Sequence, residues 1–162
     1  YYEDKLETAA NELLKYYRKR THVVNPFLDL ANVTITPIEQ GWADDAMQHT
    51  FFVHKGYQPS YNYGKDIDWQ YWPVRDNELR WQLHRHKWFT PMGKAYWLTK
   101  DEKYAKEWVY QYLDWIKKNP LQQIDPVLYE VYDIDGVKGP AENVRFAWRP
   151  LETSGQIGRA HV

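Results

Sequence analysis

The chain has 162 residues and a formal charge of −1 at pH 7. That is a size for one domain or a piece of a larger one, and a balance that points to neither nucleic acid nor a membrane surface. It contains no cysteine, which excludes a disulfide framework and a cysteine metal site, and no apolar run approaches the roughly 18–20 residues that span a bilayer. The excess is aromatic, with 9 Trp, 14 Tyr and 5 Phe. Trp and Tyr stack on flat ligand faces and carry a polar handle, so this content fits a carbohydrate cleft as well as a helical core built from aromatics.

The opening YYEDKLETAA has neither an initiator Met nor a charged-then-apolar leader. Residues 3–20 are expected to form the first helix, because Leu6, Ala10, Leu13, Leu14 and Tyr17 recur at three- and four-residue spacing. Arg18, Lys19 and Arg20 then suit its negative end. Residues 21–35, with Pro26 and the run VTI, read as an extended connection. Asn32-Val33-Thr34 fits a glycosylation acceptor, a triplet too common to carry an assignment. Thr36-Pro37-Ile38-Glu39 is a strong helix start: threonine to cap, proline at the first helical position, glutamate to return the capping bond. Ile38, Trp42 and Ala46 are expected to share the face of that helix, which should end near His49.

Residues 53–75 are dense in Gly, Pro, Tyr and Trp and hold no helical period. A long aromatic loop of this kind is either packed on the protein or used for binding. Asp76 caps the next helix, expected over 77–97 and kinked or broken by Pro91. Thr99-Lys100-Asp101-Glu102 reads as a second capping box. Tyr104, Trp108, Tyr112 and Trp115 then recur down one face until Lys117-Lys118-Asn119-Pro120 stops the helix. Residues 121–142 form an excursion with turns at Asp135-Gly136 and Gly139-Pro140. Pro150 opens a last helix. The expected fold is all-α, four or five helices with long irregular loops, over a domain at 1–155. Residues 156–162 (QIGRAHV) follow a well-patterned segment without periodicity and are expected to be a non-native tail.

The chemistry concentrates in 76–97. From Leu79 to Lys100 there is no Asp or Glu. On one continuous helix, Leu79, Leu83, His86 and Thr90 share one side and Trp81, Arg85, Trp88, Phe89 and Met92 the other. Arg80, His84 and Lys87 form a narrow polar stripe. Arg85 and His86 then sit among apolar side chains, where an uncompensated charge is very costly. The counter-charge is either a distant carboxylate, in a structural Arg–Glu pair, or an anionic ligand held by Arg and His with Trp on the ring. His84 and His86 diverge by about 200° on a helix and do not chelate a metal together. No Ser/His/Asp motif is recognisable.

The runs YNYGKDIDWQYWPVRDNELRWQLHRHKWFTPMGKAY, DEKYAKEWVYQYLDWIKKNP and ENVRFAWRPLE resemble the heparinase III type of heparan-sulfate lyase, polysaccharide lyase family 12, within the wider heparinase II/III group. The likeness spans roughly residues 5–154 and is most specific over 50–120. The resemblance implies the N-terminal part of an incomplete (α/α) toroid from a bacterial enzyme, periplasmic or secreted. That enzyme would cleave heparan sulfate by β-elimination at the uronic acid, without a cofactor, nucleic acid or membrane as partner. The family's catalytic Asn, Tyr and His lie further along than this sequence extends, so no catalytic residue is carried over. By motif position the candidates for a wall of the substrate cleft are Asn77, Glu78, Arg80, Trp81, His84, Arg85 and His86, with Tyr63, Trp148, Arg149 and Glu152. Arg85 and His86 are the expected anion contacts, Trp81 the stacking platform, and Glu152 a structural partner that orients Arg85. The competing reading is a non-catalytic helical carbohydrate-binding or scaffold module.

Overall fold

A computed structural model describes residues 3–19, 29, 31–120, 146–149, 151, 153 and 154. The expectations for 121–142, for Glu152 and for the tail at 156–162 lie outside the described residues. The chain divides into two compact units, Tyr1–Asn32 and Val33–Val162.

Among its described residues the first unit has the helix α1 (Glu3–Lys19). The three- and four-residue apolar repeat gives the expected helix, in which Leu6 is 67 % exposed and Leu13 53 %.

The second unit contains α2 (Pro37–Ala46), β1 (Thr50–Phe51), β2 (Tyr61–Asn62), α3 (Asn77–Leu83), α4 (Phe89–Thr99) and α5 (Glu102–Lys118). The described part is mostly helical, with α4 packed against both α2 and α5. The start of α2 is the expected reciprocal cap. Thr36 Oγ1 accepts from the Glu39 amide at 3.2 Å, and the Glu39 carboxylate accepts from the Thr36 amide at 2.8 Å. The buried face of α2 differs from the expected one. Ala43 and Ala46 are fully buried while Ile38 is 65 % exposed, and Trp42 instead stacks on Phe52 with centroids 3.6 Å apart. Two small residues allow α2 to approach α4 closely, which leaves the bulkier Ile38 off the seam.

Residues 50–75 are a packed loop built on a short antiparallel hairpin, with Thr50 opposite Asn62 and Phe51 opposite Tyr61. Strands of two residues are too short to show alternation, which is why the pairing is invisible in sequence. The loop sends Val53, Tyr63, Ile67 and Trp69 into the core. Lys118, in the last turn of α5, fastens it by donating to Asp66 at 2.5 Å and the Ile67 carbonyl at 2.9 Å, with Asp114 at 3.1 Å. Trp69 Nε1 donates to Asp114 at 2.8 Å.

The helix expected over 77–97 is two helices. α3 ends at Leu83, residues 84–88 form a turn, and α4 begins at Phe89. Pro91 is the cause, acting upstream of its own position. A helix running through it would set the pyrrolidine ring against the Lys87 carbonyl, four residues back. With the break at 84–88, Pro91 falls in the first turn of α4, where no intrahelical bond is required of its nitrogen. His86 adopts a left-handed backbone, φ 46°. The helical phase therefore fails beyond His84, and the expected polar stripe is not solvated: Arg80 is 6 % exposed and His84 2 %.

The start of α5 is capped by Asp101, which accepts from the Lys103 amide at 3.0 Å. Thr99, expected to cap, donates instead to the Ala95 carbonyl at 2.7 Å at the end of α4. The aromatic face of α5 is as expected, with Tyr104 and Trp115 buried and Trp108 and Tyr112 packed against the core. Asn119 closes the helix, its side chain donating to the Trp115 carbonyl at 2.9 Å. Leu151, Thr153 and Ser154 are helical, in the position expected for the last helix.

The core is largely aromatic. Phe51 stacks on Trp88 at 4.1 Å with 4° between the planes, and Trp69 lies parallel to both. Much of the tryptophan content is thus spent on folding.

Candidate functional site

The site candidates follow from how α3 starts. Asp76 has an extended backbone and its carboxylate accepts from the Glu78 amide at 2.9 Å. The same carboxylate accepts from the Tyr57 hydroxyl. Burial, and then this acidic partner, push the Tyr57 hydroxyl up to about 12. Trp72 Nε1 donates to the Asp76 carbonyl at 3.2 Å. The aromatic loop is thereby folded onto the first turn of α3. Within the helix, Gln82 Nε2 donates to Glu78 one turn back.

A second segment arrives from residues 146–149. Ala147 is fully buried. Trp148 Nε1 donates to the Asn119 carbonyl at 2.5 Å, and its ring lies 5.0 Å from Trp115. Phe146 and Arg149 then meet α3. The Arg80 guanidinium lies 3.7 Å from the Phe146 ring centroid and 4.9 Å from that of Trp72. Phe146 neighbours Trp81 at 6.0 Å, and the Arg149 guanidinium sits 4.2 Å over Trp81. Cations and rings alternate: Trp72, Arg80, Phe146, Trp81, Arg149. Arg80 and Phe146 are buried, while Trp72, Trp81 and Arg149 are half-buried. Cation–π contacts of this kind contribute about 0.5–2 kcal/mol each, more when desolvated.

His84 has a fixed chemical state. The Trp115 indole donates to its Nδ1 at 3.0 Å. An indole N–H can only donate, so Nδ1 carries the lone pair and the proton resides on Nε2. Burial first, and the Arg80 charge second, lower its pKa to about 3. At neutral pH His84 is an uncharged imidazole and not a cation for an anionic ligand.

His86 is 1 % exposed. Its ring stacks on Phe89 at 4.8 Å and meets the edges of Trp88, Trp115 and Trp69 between 5.3 and 5.5 Å. It is a core side chain in this structure, buried among aromatic rings as its apolar surroundings on a drawn helix imply, and the role expected for it as an anion contact has no exposed surface to act from. Tyr63 is likewise interior, 3 % exposed. Burial raises the pKa of its hydroxyl, which makes no hydrogen bond among the described residues.

The expected residues therefore separate. Tyr63, Arg80, His84 and His86 are interior, while Asn77, Glu78, Trp81, Arg85, Trp148 and Arg149 are half-buried. Sequence reasoning missed Trp72 and Phe146, the two rings on Arg80. No local signal marks either ring, since Trp72 lies in the irregular loop before α3 and Phe146 in a segment distant from Arg80 in sequence. Among the described residues no three His, Asp or Glu side chains converge as metal ligands, and no helix is long and apolar enough to cross a membrane. The arrangement is suited to holding an anion against aromatic faces.

The chain matches the family described as Heparinase II/III N-terminus over residues 1–161. It is 64 % identical to a heparin-sulfate lyase of Bacteroides stercoris, over 96 % of this chain and 23 % of that protein. It is 44 % identical to a heparin-sulfate lyase of Pedobacter heparinus, over 93 % of this chain and 21 % of that protein. Among solved structures, a heparinase III gene product with methylated lysines superposes with a TM-score of 0.85 and 67 % identity, covering 96 % of this chain and 24 % of the other. The heparan sulfate lyase HepC from Pedobacter heparinus superposes with a TM-score of 0.74 and 42 % identity, covering 94 % and 22 %. The chain thus spans about a quarter or less of the length of the relatives it matches. With nearly every residue inside the matched region and the fold shared at high identity, this chain belongs to the heparinase II/III N-terminus family.

Proposed function

We propose that this chain is the N-terminal part of a polysaccharide lyase that cleaves heparan sulfate by β-elimination at the uronic acid. The observation that carries the reading is the 64 % identity to a heparin-sulfate lyase over 96 % of the chain. In such a reaction a base removes the proton at C5 of the uronate, the C4–O bond breaks, and an acid protonates the departing oxygen. The C5 proton becomes acidic enough only when the neighbouring carboxylate is neutralised, so the cleft needs cationic donors. Arg85 and Arg149, with Trp81, are proposed as part of that cleft wall, flanked by Asn77, Glu78 and Trp148. The base and acid are proposed to come from the remainder of the enzyme, so the segment alone is expected to be inactive.

The larger architecture is proposed to be an (α/α) toroid. Support comes from α5, which is apolar on two sides. Opposite its buried face, Val109, Leu113 and Ile116 are 47 %, 58 % and 40 % exposed. A helix apolar on both sides is an inner helix with neighbours on both. Heparan sulfate is an extracellular polymer, so the parent enzyme is proposed to be periplasmic or secreted.

The test is initial-rate formation of the unsaturated uronate chromophore by the full-length protein on heparan sulfate. A rise is expected. A folded, full-length protein that binds the polymer and produces no chromophore would refute the assignment.

A further inference from the structure

We propose that Arg80 is a positioning residue: held between Trp72 and Phe146, it sets the Trp81–Arg149 pair that contacts an anionic group of the polymer. The inference rests on the acidic-polysaccharide reading above and assigns the work within that site.

Two arginines share one aromatic stack but differ in access. Arg80 is 6 % exposed, with its guanidinium 3.7 Å from Phe146 and 4.9 Å from Trp72. A charge at that depth, covered on ring faces, does not reach a polymer lying on the surface. Arg149 is half-buried and lies 4.2 Å over Trp81. A guanidinium carries its N–H groups in its own plane, the edge that carboxylate and sulfate engage bidentately. Stacking also removes rotamer freedom beforehand, so less entropy is lost when the anion arrives.

Phe146 is the link. It touches both Arg80 and Trp81, and it lies three residues before Arg149 in the same short segment. Displacing Phe146 moves the ring beside Trp81 and the backbone that carries Arg149. The neighbouring Ala147 and Trp148 are fixed in the core by burial and by the bond to the Asn119 carbonyl. Arg80 and Trp72 hold the side of the turn that those anchors leave undetermined.

The test uses the full-length enzyme with the variants Arg80→Met, Arg80→Lys and Arg149→Gln and the corresponding doubles, on heparan sulfate oligosaccharides at low and high salt. Arg149→Gln is expected to raise KM about tenfold or more, as loss of a charge-assisted contact does, and to weaken the salt dependence of KM. Each Arg80 variant is expected to raise KM while kcat stays within about twofold. In the Arg149→Gln background either Arg80 change should add less than about twofold, because one acts through the other. Losses that multiply in the double variants, or a fall in kcat at unchanged KM, overturn the proposal.

A structural readout runs in parallel. In a crystal structure of Arg80→Met, or of Arg80→Lys where the methionine variant fails to fold, Arg149 should leave the face of Trp81. An unmoved Arg149 overturns positioning whatever the kinetics. A wild-type enzyme that leaves heparan sulfate uncut sinks the functional reading instead, and the crystallographic comparison still decides the role of Arg80.

Discussion

Replacing His84 by glutamine should remove a pH dependence from the opening of α3 and α5. In the native structure His84 is buried, receives the Trp115 indole hydrogen on Nδ1, and has its pKa lowered from 6.5 to about 3 by burial and the Arg80 charge. The unfolded chain binds a proton on this ring below its ordinary pKa, and the folded chain does not. Between those two values the unfolded state holds more protons, so stability falls as pH is lowered and is fully present only above the unfolded pKa. For such a shift, linkage gives a loss of about 2 kcal/mol between pH 6.5 and 4.5. Glutamine keeps an oxygen to accept from Trp115 and does not titrate. The assay is native-state hydrogen exchange of α3 and α5 amides in the full-length protein, corrected for intrinsic rates, at both pH values. Acid sensitivity shared with other groups, such as Glu39, which Lys94 and the Thr36 amide hold below the usual carboxylate range, cancels in the comparison with wild type. The His84→Gln protein should lose about 2 kcal/mol less than wild type over this interval. Parallel losses within about 0.5 kcal/mol, the size of an ordinary surface substitution, would refute a buried neutral imidazole at this position.

Gln111→Leu should cost about 2–4 kcal/mol by the same exchange measurement, because it strands buried polar groups. Gln111 is fully buried, accepts from Trp88 Nε1 at 2.8 Å, and donates to the Ala46 carbonyl at 2.9 Å. Adding Trp88→Phe removes the orphaned indole N–H, so the double variant should lose less than the two singles combined. Strict additivity would count against the bond. Thr36→Ala should cost about 1 kcal/mol, the usual worth of a side-chain N-cap, seen as faster exchange confined to the first turn of α2. An effect reaching α5 would show that the cap does more than end a helix.

Local chemistry was the legible part of this chain. Thr36, Pro37 and Glu39 lie within four residues, and their reciprocal bonds need no distant partner. The aromatic face of α5 repeats over about three turns and declares itself for the same reason. What escaped depends on contacts far apart in sequence. Ile38 has the hydrophobicity of a core residue, yet the seam between α2 and α4 prefers Ala43 and Ala46. Pro91 is legible as a breaker, but its effect falls upstream, at residues 84–88, while Arg80, inside α3, is covered by Trp72 and by Phe146 from a distant segment. The presence of cations and rings in the candidate site was visible from composition. Their pairing was not, because Phe146 lies 66 positions beyond Arg80 and no periodicity joins residues at that separation. His86 is an expected anion contact on a drawn helix, whereas in the structure it has a left-handed backbone and its ring lies in the tryptophan cluster.

That cluster has an optical consequence. Trp69 and Trp88 lie nearly parallel, 14° apart with centroids separated by 6.4 Å, and Trp115 closes on the same imidazole. Indoles fixed in such an asymmetric surrounding give near-ultraviolet circular dichroism that vanishes when fixed side-chain packing is lost, even if the helices remain. The protein thus carries its own spectroscopic gauge of tertiary order, readable without a label.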